Sequence, residues 1–396
     1  MMPQAVGPTS WQRLCRVPHR IYFACGALAL LSMVLWWALG LSVPLPSTAP
    51  AWMVHAVLTP LGVFPLFMLG FMFTAGPRWL LAPETGPGHA PLALAYLAGI
   101  WLCLYGFAVA PRIALLGCVL MQASWLLAGW RWYGCVRRGQ SSDKHHAVQL
   151  LLAMMAGLIA QGLFAGWAWC GNLQYWAMAR DVALWGFLLP VFLIVLHRML
   201  PVFTQMAVPM HGRWHPNWLL DTWLACCMVM VVLKIFDDGR LLAWVAGGLA
   251  VLLALTSLRW GLLDVLNNRL LAMLHLSFLW LALTLGVLAA HGAGAIPAGA
   301  APAHALGLGF FSTTLVAFVT RVTLGHSGRN LLADQGYWAI YLSLHLISLL
   351  RLALAIQGGA ATQLQWLALL WALIMLAWVA RILPVYWRPR SDGKPG

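Results

Sequence analysis

The sequence predicts an all-α membrane protein, a polytopic helical bundle with about twelve transmembrane helices. The chain has 396 residues, of which 62% are hydrophobic and 8% charged, whereas a soluble domain carries about 25% charged residues. Twelve apolar runs approach or exceed the length of about 20 residues that crosses a hydrocarbon core, and the alternating pattern of outer-membrane strands is absent. The runs lie at 21–43, 52–76, 91–109, 111–132, 147–169, 180–205, 216–235, 241–262, 270–291, 302–322, 334–356 and 363–387.

The runs divide the chain into a twelve-span membrane domain, residues 21–387, and two short tails, residues 1–20 and 388–396. The first run has 23 residues, which is longer than the roughly 7–15 apolar residues of a cleavable signal core. We therefore expect it to stay in the protein. The stretches "RMLPVF" (198–203) and "RILPVY" (381–386) end the sixth and twelfth runs. They indicate either a six-plus-six parallel repeat or two similar helix ends that arose by chance.

The formal net charge of +14 is best explained as a topology signal. If the N-terminus is cytoplasmic, 18 of the 23 Lys and Arg residues fall on the cytoplasmic side. The positive-inside rule then predicts that both termini are cytoplasmic. The expected surroundings are membrane lipid, and the charge gives no reason to expect nucleic acid as a partner. The five basic residues on the other side are Arg112, Arg180, Lys234, Arg240 and Arg351.

Carboxylates are informative because none is expected near the middle of a span. Asp181, Asp221, Asp264 and Asp334 lie at the ends of apolar runs, and the other five acidic residues lie in loops or tails. Proton-coupled carriers and pumps generally use an ionisable group inside the membrane, so the pattern weighs against a transporter of that kind.

Cysteine offers no obvious metal-binding motif. The eight cysteines include no C-x-x-C pair, and buried cysteine usually behaves as a small apolar residue. We interpret those inside the runs in that way; they are Cys25, Cys103, Cys118, Cys226 and Cys227.

Histidine is the remaining candidate for chemistry in the membrane. Of the thirteen histidines, six are expected in loops or tails: His19, His89, His145, His146, His211 and His215. The others belong to the bundle. His55, His291 and His304 are expected on the outer side, and His197, His275 and His326 on the inner side, with His345 near the middle of the eleventh run.

The tenth run carries a histidine at each end, which predicts two separate sites. Twenty-two residues of helix, at ~1.5 Å each, place His304 and His326 roughly 33 Å apart. Gly307 follows His304 on the same helical face, where it leaves room for a flat macrocycle, and axial histidine commonly holds haem iron. The alternatives are an interfacial histidine bonded to a neighbouring helix for His304, and a glycine helix cap for the "GHSGR" turn.

Four stretches carry a family resemblance: "HALGLGFFSTTLVAFVTRVTLGHSGR" (304–329), "MLHLSFLWLALTLG" (273–286), "LPVFTQ" (200–205) and "GFMFTAGPRW" (70–79). In these stretches the chain resembles the NnrS family of bacterial inner-membrane proteins, from about residue 18 to residue 387. The resemblance implies twelve spans, an association with haem and copper, and synthesis in response to nitric oxide. His55, His275, His304 and His326 match family histidines. The family's H-A-H-E-M run is replaced by "HAVLTPLG", with Val57 at the second histidine position, so one metal site is lost or rebuilt.

Pattern and resemblance together predict two cofactor sites. His55 and His304 would bind haem at the outer face. At the inner face, His275 and His326 would bind haem, of b-type, rather than isolated copper, with His197 as a third metal ligand. Arg321 and Arg329 would bind the haem propionates, since arginine pairs with carboxylates through two hydrogen bonds.

The predicted function is a haem-binding membrane protein of the nitric oxide and nitrosative-stress response, with copper as a second candidate metal. Nitric oxide, or another small apolar molecule, is the expected ligand. Two other functions compete with this one. One is a membrane redox enzyme similar to a nitric oxide reductase, and the other is a non-catalytic carrier or sensor of haem, copper or a metal–nitrosyl species. The sequence identifies no electron donor.

The topology makes the first testable prediction. Reporter fusions at Gly396 and within residues 292–301 should report opposite sides of the membrane, with Gly396 in the cytoplasm, because the basic residues divide so unequally between the two sides. A fusion at Gly396 that reports the periplasm would invert the assignment of both histidine sites.

Overall fold

The computed structural model describes residues 9–43, 46–210, 212–297 and 299–394. The protein is 81% helical, and the described residues contain no strand. Twelve helical segments are long and apolar enough to cross a membrane, which confirms the predicted all-α architecture and the number of spans. His211 and the outermost residues of both tails lie outside the described residues.

The helices begin and end close to the predicted limits. They are α1 (Ser10–Arg16), α2 (Pro18–Ser42), α3 (Ala51–Gly62), α4 (Phe64–Leu80), α5 (His89–Val109), α6 (Pro111–Arg138), α7 (His145–Cys170), α8 (Leu173–Asp181), α9 (Leu189–Ala207), α10 (Asn217–Ile235), α11 (Gly239–Arg259), α12 (Arg269–Gly292), α13 (Ala301–His304), α14 (Thr313–His326), α15 (Gln335–Gln357) and α16 (Ala361–Ile382).

Three spans are interrupted, and they form the centre of the bundle. The second span joins α3 to α4 at Val63. The sixth joins α8 to α9 through a π-helix at Val182–Leu188, and the tenth joins α13 to α14 through a π-helix at Ala305–Ser312. Their most apolar windows are 89%, 72% and 89% buried, more than in any other span. Irregular backbone is tolerated at membrane depth where protein covers it, which explains why these spans are central.

The two similar stretches, residues 198–203 and 381–386, adopt different structures. Residues 198–203 lie inside α9, which continues through Pro201 to Ala207. Residues 381–386 instead finish α16 and continue as a 3₁₀ turn at Leu383–Tyr386.

Several helices begin before the apolar runs that predicted them, and this corrects four positions. His19, His89 and His146 were expected in loops or tails, yet all three lie in helices and are buried. Asp181 was expected at a run end, but its span begins at Leu173. It therefore lies about 12 Å into the helical segment, at ~1.5 Å per residue. A polar residue ends an apolar run without ending the helix, because neighbouring helices supply its partners.

The first and last spans meet at one end of the bundle. Arg20 is 3% exposed, and its Nη1 donates to the carbonyl oxygens of Tyr386 and Arg388, both at 3.1 Å. Arg13 Nε donates to the carbonyl oxygen of Trp387 at 3.0 Å. Helices α2 and α16 pack along each other, so the two ends of the chain close the bundle together.

The hairpin of α5 and α6 shows the tightest helix contact. A Cβ atom at Gly106 would meet the backbone nitrogen of Ala114, and one at Gly117 would lie 2.6 Å from the backbone nitrogen of Cys103. Small residues allow such close approach between membrane helices. By contrast, a Cβ at Gly129 of α6 would make only an ordinary contact of 3.7 Å with Met154 Cε.

This difference predicts opposite effects for two glycine substitutions. Gly106→Ala should destabilise the protein by about 1–3 kcal/mol, the usual cost of overpacking, because backbone cannot yield to the added methyl group. Gly129→Ala should be neutral or should stabilise it by ~0.5–1 kcal/mol, since alanine favours helix over glycine. Thermal unfolding in detergent, followed by circular dichroism, measures both. A melting temperature for Gly106→Ala equal to that of wild type would contradict the close packing.

Candidate functional site

A large cavity opens between the interrupted spans, and two predicted histidines line it. The cavity encloses about 700 Å³, which lies in the range of ~300–1,000 Å³ typical of small-molecule sites. Its walls come from α3, both π-helices, α15 and α16, and are mostly apolar. His55, His304 and His291 all line it, and His291 is exposed. We call it the His55–His304 cavity.

Both histidines are held by hydrogen bonds within their own helical segments. His304 Nδ1 lies 2.8 Å from the carbonyl oxygen of Ala300, so Nδ1 carries the proton and Nε2 keeps its lone pair. His55 Nδ1 lies 3.2 Å from Thr59 Oγ1, and its ring stacks on Trp37 with centroids 4.2 Å apart and planes 16° apart. No described residue is hydrogen-bonded to either Nε2. Each imidazole is thus oriented as a ligand whose Nδ1 is already engaged.

The wall beside His304 leaves space for a ligand. Gly307 lines the cavity from the π-helix, and a Cβ atom built there would meet nothing within 4 Å. The aromatic ring of Phe311 lines the same wall. A π-helix often marks a functional site. This π-helix and the open position at Gly307 lie directly after His304, where the sequence predicted a bound ligand.

Charged side chains give the cavity an excess of positive charge. Asp181 accepts two hydrogen bonds from Arg180, at 2.9 and 2.7 Å, and its Oδ1 lies 3.9 Å from Lys234 Nζ. Arg351 lines the same cavity and is half-buried, and no carboxylate within the described ranges pairs with it. Three cations therefore face one carboxylate, an arrangement that favours a ligand carrying negative charge.

At the opposite end of the tenth span, His326 lies beside His19. The predicted partner, His275, makes its contact with a different residue. The rings of His19 and His326 have centroids 4.7 Å apart, and the backbone nitrogen of His19 donates to Thr74 Oγ1 at 3.0 Å. His275 Nε2 lies 2.9 Å from Thr204 Oγ1. His19 was not predicted as a site residue, although Pro18 at the first turn of α2 is a typical helix-start signal.

The two arginines predicted for this end have different surroundings. Arg321 places its guanidinium 4.0 Å from the centroid of the Phe203 ring, a cation–π contact. Arg329 is half-buried, and its Nη1 has no hydrogen-bond partner among the described residues. Arg329 therefore keeps a donor for an anionic group.

The C-terminal tail covers the turn that follows His326. Arg390 Nη1 donates to the carbonyl oxygen of His326 at 3.0 Å, and Ser391 N donates to that of Ser327 at 2.9 Å. Gly328 has a φ of +71°, and a Cβ there would lie 2.5 Å from the Asp392 carboxyl carbon. Hydrogen bonds from Arg390 lower the pKa of Asp392, so this pair stays charged around neutral pH.

His197, predicted as a third metal ligand, belongs to a directed chain of hydrogen bonds. Arg198 Nη1 lies 3.4 Å from His146 Nδ1, so that nitrogen must accept. His146 Nε2 then donates to His197 Nδ1 at 2.9 Å, and His197 Nε2 donates to the carbonyl oxygen of Pro216 at 3.2 Å. Both ring nitrogens of His197 are engaged, which leaves no lone pair for a metal while the chain of bonds is intact.

The residues around His55 and His304 indicate what kind of group the two imidazoles could bind. The described part of the protein contains no cluster of three or more His, Cys, Asp or Glu side chains with the spacing of a metal site. The His55–His304 cavity instead offers two imidazoles, an apolar volume and unpaired positive charge. Such a site suits a cofactor that brings most of its own metal ligands.

The directed bonds of His197 predict a structural role. His197→Ala should destabilise the protein by about 1–3 kcal/mol, because a buried His146 donor would lose its acceptor. His145→Ala is the matched control. His145 is the neighbour of His146 in α7, and its Nε2 lies 2.9 Å from Asp221 Oδ1 in a partly exposed contact that is expected to contribute less than about 1 kcal/mol. Equal melting temperatures for the two variants in detergent would refute the bond chain.

Comparison with known families identifies a match to the whole membrane domain. Residues 13–390 match the family described as "NnrS protein". A comparison with curated proteins finds no match. The matched range covers all twelve spans and contains every candidate residue described above, so the resemblance seen in the sequence is confirmed. The chain belongs to the NnrS family and is a multi-pass membrane protein; at the level of the family, this membership supports a role in the nitric oxide response.

Proposed function

We propose that this protein binds haem in the His55–His304 cavity and that nitric oxide reaches the bound haem through the membrane. The observation that carries the proposal is the pair of imidazoles lining one cavity, each held through Nδ1. His55 and His304 would hold the iron through Nε2, the nitrogen that has no described partner.

The residues of the cavity fit a porphyrin in three respects. The walls are mostly apolar and enclose enough volume for a large planar ligand. Gly307 leaves the helix wall open beside His304. Arg351, which has no carboxylate partner within the described ranges, would pair with a propionate, because arginine binds carboxylates through paired hydrogen bonds.

The lining also suits a ligand that arrives from lipid. Nitric oxide is small and apolar, so it needs no polar channel to reach a cavity inside the bundle. When bound, haem would supply iron chemistry able to bind nitric oxide, at a position that one of the two imidazoles would have to vacate. The protein's own contribution would be to orient the two imidazoles, to hold the propionates at Arg351 and to keep water away with apolar walls.

A reductase of the haem–copper type is supported less well by the same cavity. That chemistry calls for histidines around two metals and for a group that delivers protons. The carboxylate that lines the cavity, Asp181, is already engaged by Arg180 and approached by Lys234. A protein that binds haem and nitric oxide therefore explains the residues of the cavity better than an enzyme that reduces nitric oxide.

We also propose that the protein lies in the bacterial inner membrane with both termini in the cytoplasm, so that the cavity faces the periplasmic side. The support is the unequal division of basic residues. The second site at His326 remains a prediction. His19, rather than His275, would be its first partner, and Arg329 would bind an anionic group there.

The haem proposal is tested with three substitutions in the cavity. His55→Ala and His304→Ala should each remove the Soret band of the purified protein or shift it, because each takes away one nitrogen that would hold the iron. Arg351→Met should raise the rate of haem loss about tenfold or more, the effect of one charge-assisted hydrogen bond. His291→Ala is the matched control, since His291 also lines the cavity but is exposed and is assigned no part in holding haem, and its spectrum should match wild type.

Folding is checked in the same samples by gel filtration in detergent. Unchanged spectra in both His55→Ala and His304→Ala would reject the site and would assign these imidazoles to helix packing. Haem loss that is equally fast in Arg351→Met and in wild type would remove Arg351 from the proposed propionate site.

A further inference from the structure

Arg321 is a buried cation in the half of the tenth span that ends at His326. The residue is 9% exposed and lies about 7.5 Å before the end of α14, at ~1.5 Å per residue. Its guanidinium carbon is 4.0 Å from the centroid of the Phe203 ring. Within the described ranges, no hydrogen bond or ion pair joins the side chain to another residue. Its positive charge therefore lies inside the bundle without an opposite charge.

The other cations that lie over aromatic rings show what Arg321 lacks. In the part of the chain that the structure describes, four of them also pair with a carboxylate; they are Arg180, Arg198, Lys234 and Arg381. A fifth, Arg259, is exposed and has water around it. Arg321 is thus the cation over a ring that is buried and also has no described carboxylate partner.

An unpaired charge at this position is costly, and the protein's own groups do not remove the cost. The ring of Phe203 attracts the cation, but it has no oxygen or nitrogen atom that could accept a hydrogen bond from the five N–H donors of the guanidinium. Arginine also stays protonated in proteins, so the charge is not lost with a proton. Buried charges are normally paired, and Arg321 therefore calls for an anion as its partner.

The anion at Arg321 is distinct from the ligand assigned to the His55–His304 cavity. Arg321 does not line that cavity, whose wall on the same helix includes Leu315. Leu315 and Arg321 are about 9 Å apart along the helix, at ~1.5 Å per residue. Because neighbouring helices cover most of Arg321, they leave room beside it for a small ion rather than for a large ligand.

We propose that Arg321 binds a small, planar, monovalent oxyanion, a class that includes nitrate, nitrite and formate. The guanidinium is a planar fork, and it donates two parallel hydrogen bonds to two oxygen atoms that lie in one plane. One negative charge neutralises the single positive charge of Arg321. A doubly charged anion would leave net charge inside the bundle, which is costly at membrane depth. This binding does not depend on haem.

The experiment measures binding of isotopically labelled nitrate to the full-length protein in detergent, by equilibrium dialysis. Wild type should bind one more nitrate per chain than Arg321→Met. Arg321→Lys keeps the charge but not the planar fork, so it should bind this ion about tenfold more weakly. Arg381→Met is the matched control, because the Arg381 guanidinium also lies over a ring but is paired with Asp334; it should bind nitrate as wild type does.

Thermal unfolding of the same proteins, followed by circular dichroism, gives a second readout and checks folding. In buffer without small oxyanions, Arg321→Met should melt at a higher temperature than wild type, because an apolar side chain replaces an unpaired buried charge. Nitrate should then raise the melting temperature of wild type but not that of Arg321→Met, with chloride at equal ionic strength as the reference.

Two results would overturn the proposal. One is equal nitrate binding by wild type and Arg321→Met. The other is nitrate binding to wild type that disappears when haem is added, which would assign Arg321 to a haem propionate. The Soret band is recorded in the same samples, so failure of the anion site is distinguished from failure of the haem site.

Discussion

The requirement to satisfy every backbone polar group inside hydrocarbon governs this structure. Among the described residues, eight spans meet it as single α-helices, the twelfth ends in a 3₁₀ turn, and three contain an internal break. Where the tenth span becomes a π-helix, side chains cover the altered carbonyls: Ser312 Oγ donates to Gly307 O at 2.9 Å and Thr313 Oγ1 donates to Phe310 O at 3.3 Å. Hydroxyls commonly repair such breaks in membrane helices. The repaired segments then define the walls of the cavity, so the site follows from the same constraint.

The sequence was sufficient for the architecture and for part of the site. Twelve apolar runs predicted twelve spans, because length and hydropathy alone decide whether a helix can cross the membrane. His55 and His304 could be paired since each opens its own span. His19 and His146 could not be placed, because each lies beyond the end of an apolar run and its burial depends on other helices.

Partners across helices account for the remaining differences. His197 is bonded to His146 and His275 to Thr204, and these contacts join residues 51 and 71 positions apart. Periodicity along one helix carries no information about which neighbouring helix faces it. The proximity of Cys103 and Cys118 could not be predicted for the same reason: it depends on how closely α5 and α6 approach at Gly99 and Gly117.

The contact between the two ends of the chain has a consequence for biosynthesis. Arg20 lies near the start of the first span, and its Nη1 acceptors belong to Tyr386 and Arg388, 366 and 368 residues later. While the chain is being inserted, that guanidinium must remain solvated or bound to lipid headgroups, because its acceptors have not been synthesised. The first helix can therefore settle into its final depth only after the twelfth has been inserted. Assembly of the bundle is completed by its last helix, and a chain that stops before residue 386 would leave a cation without acceptors at the place where the bundle should close.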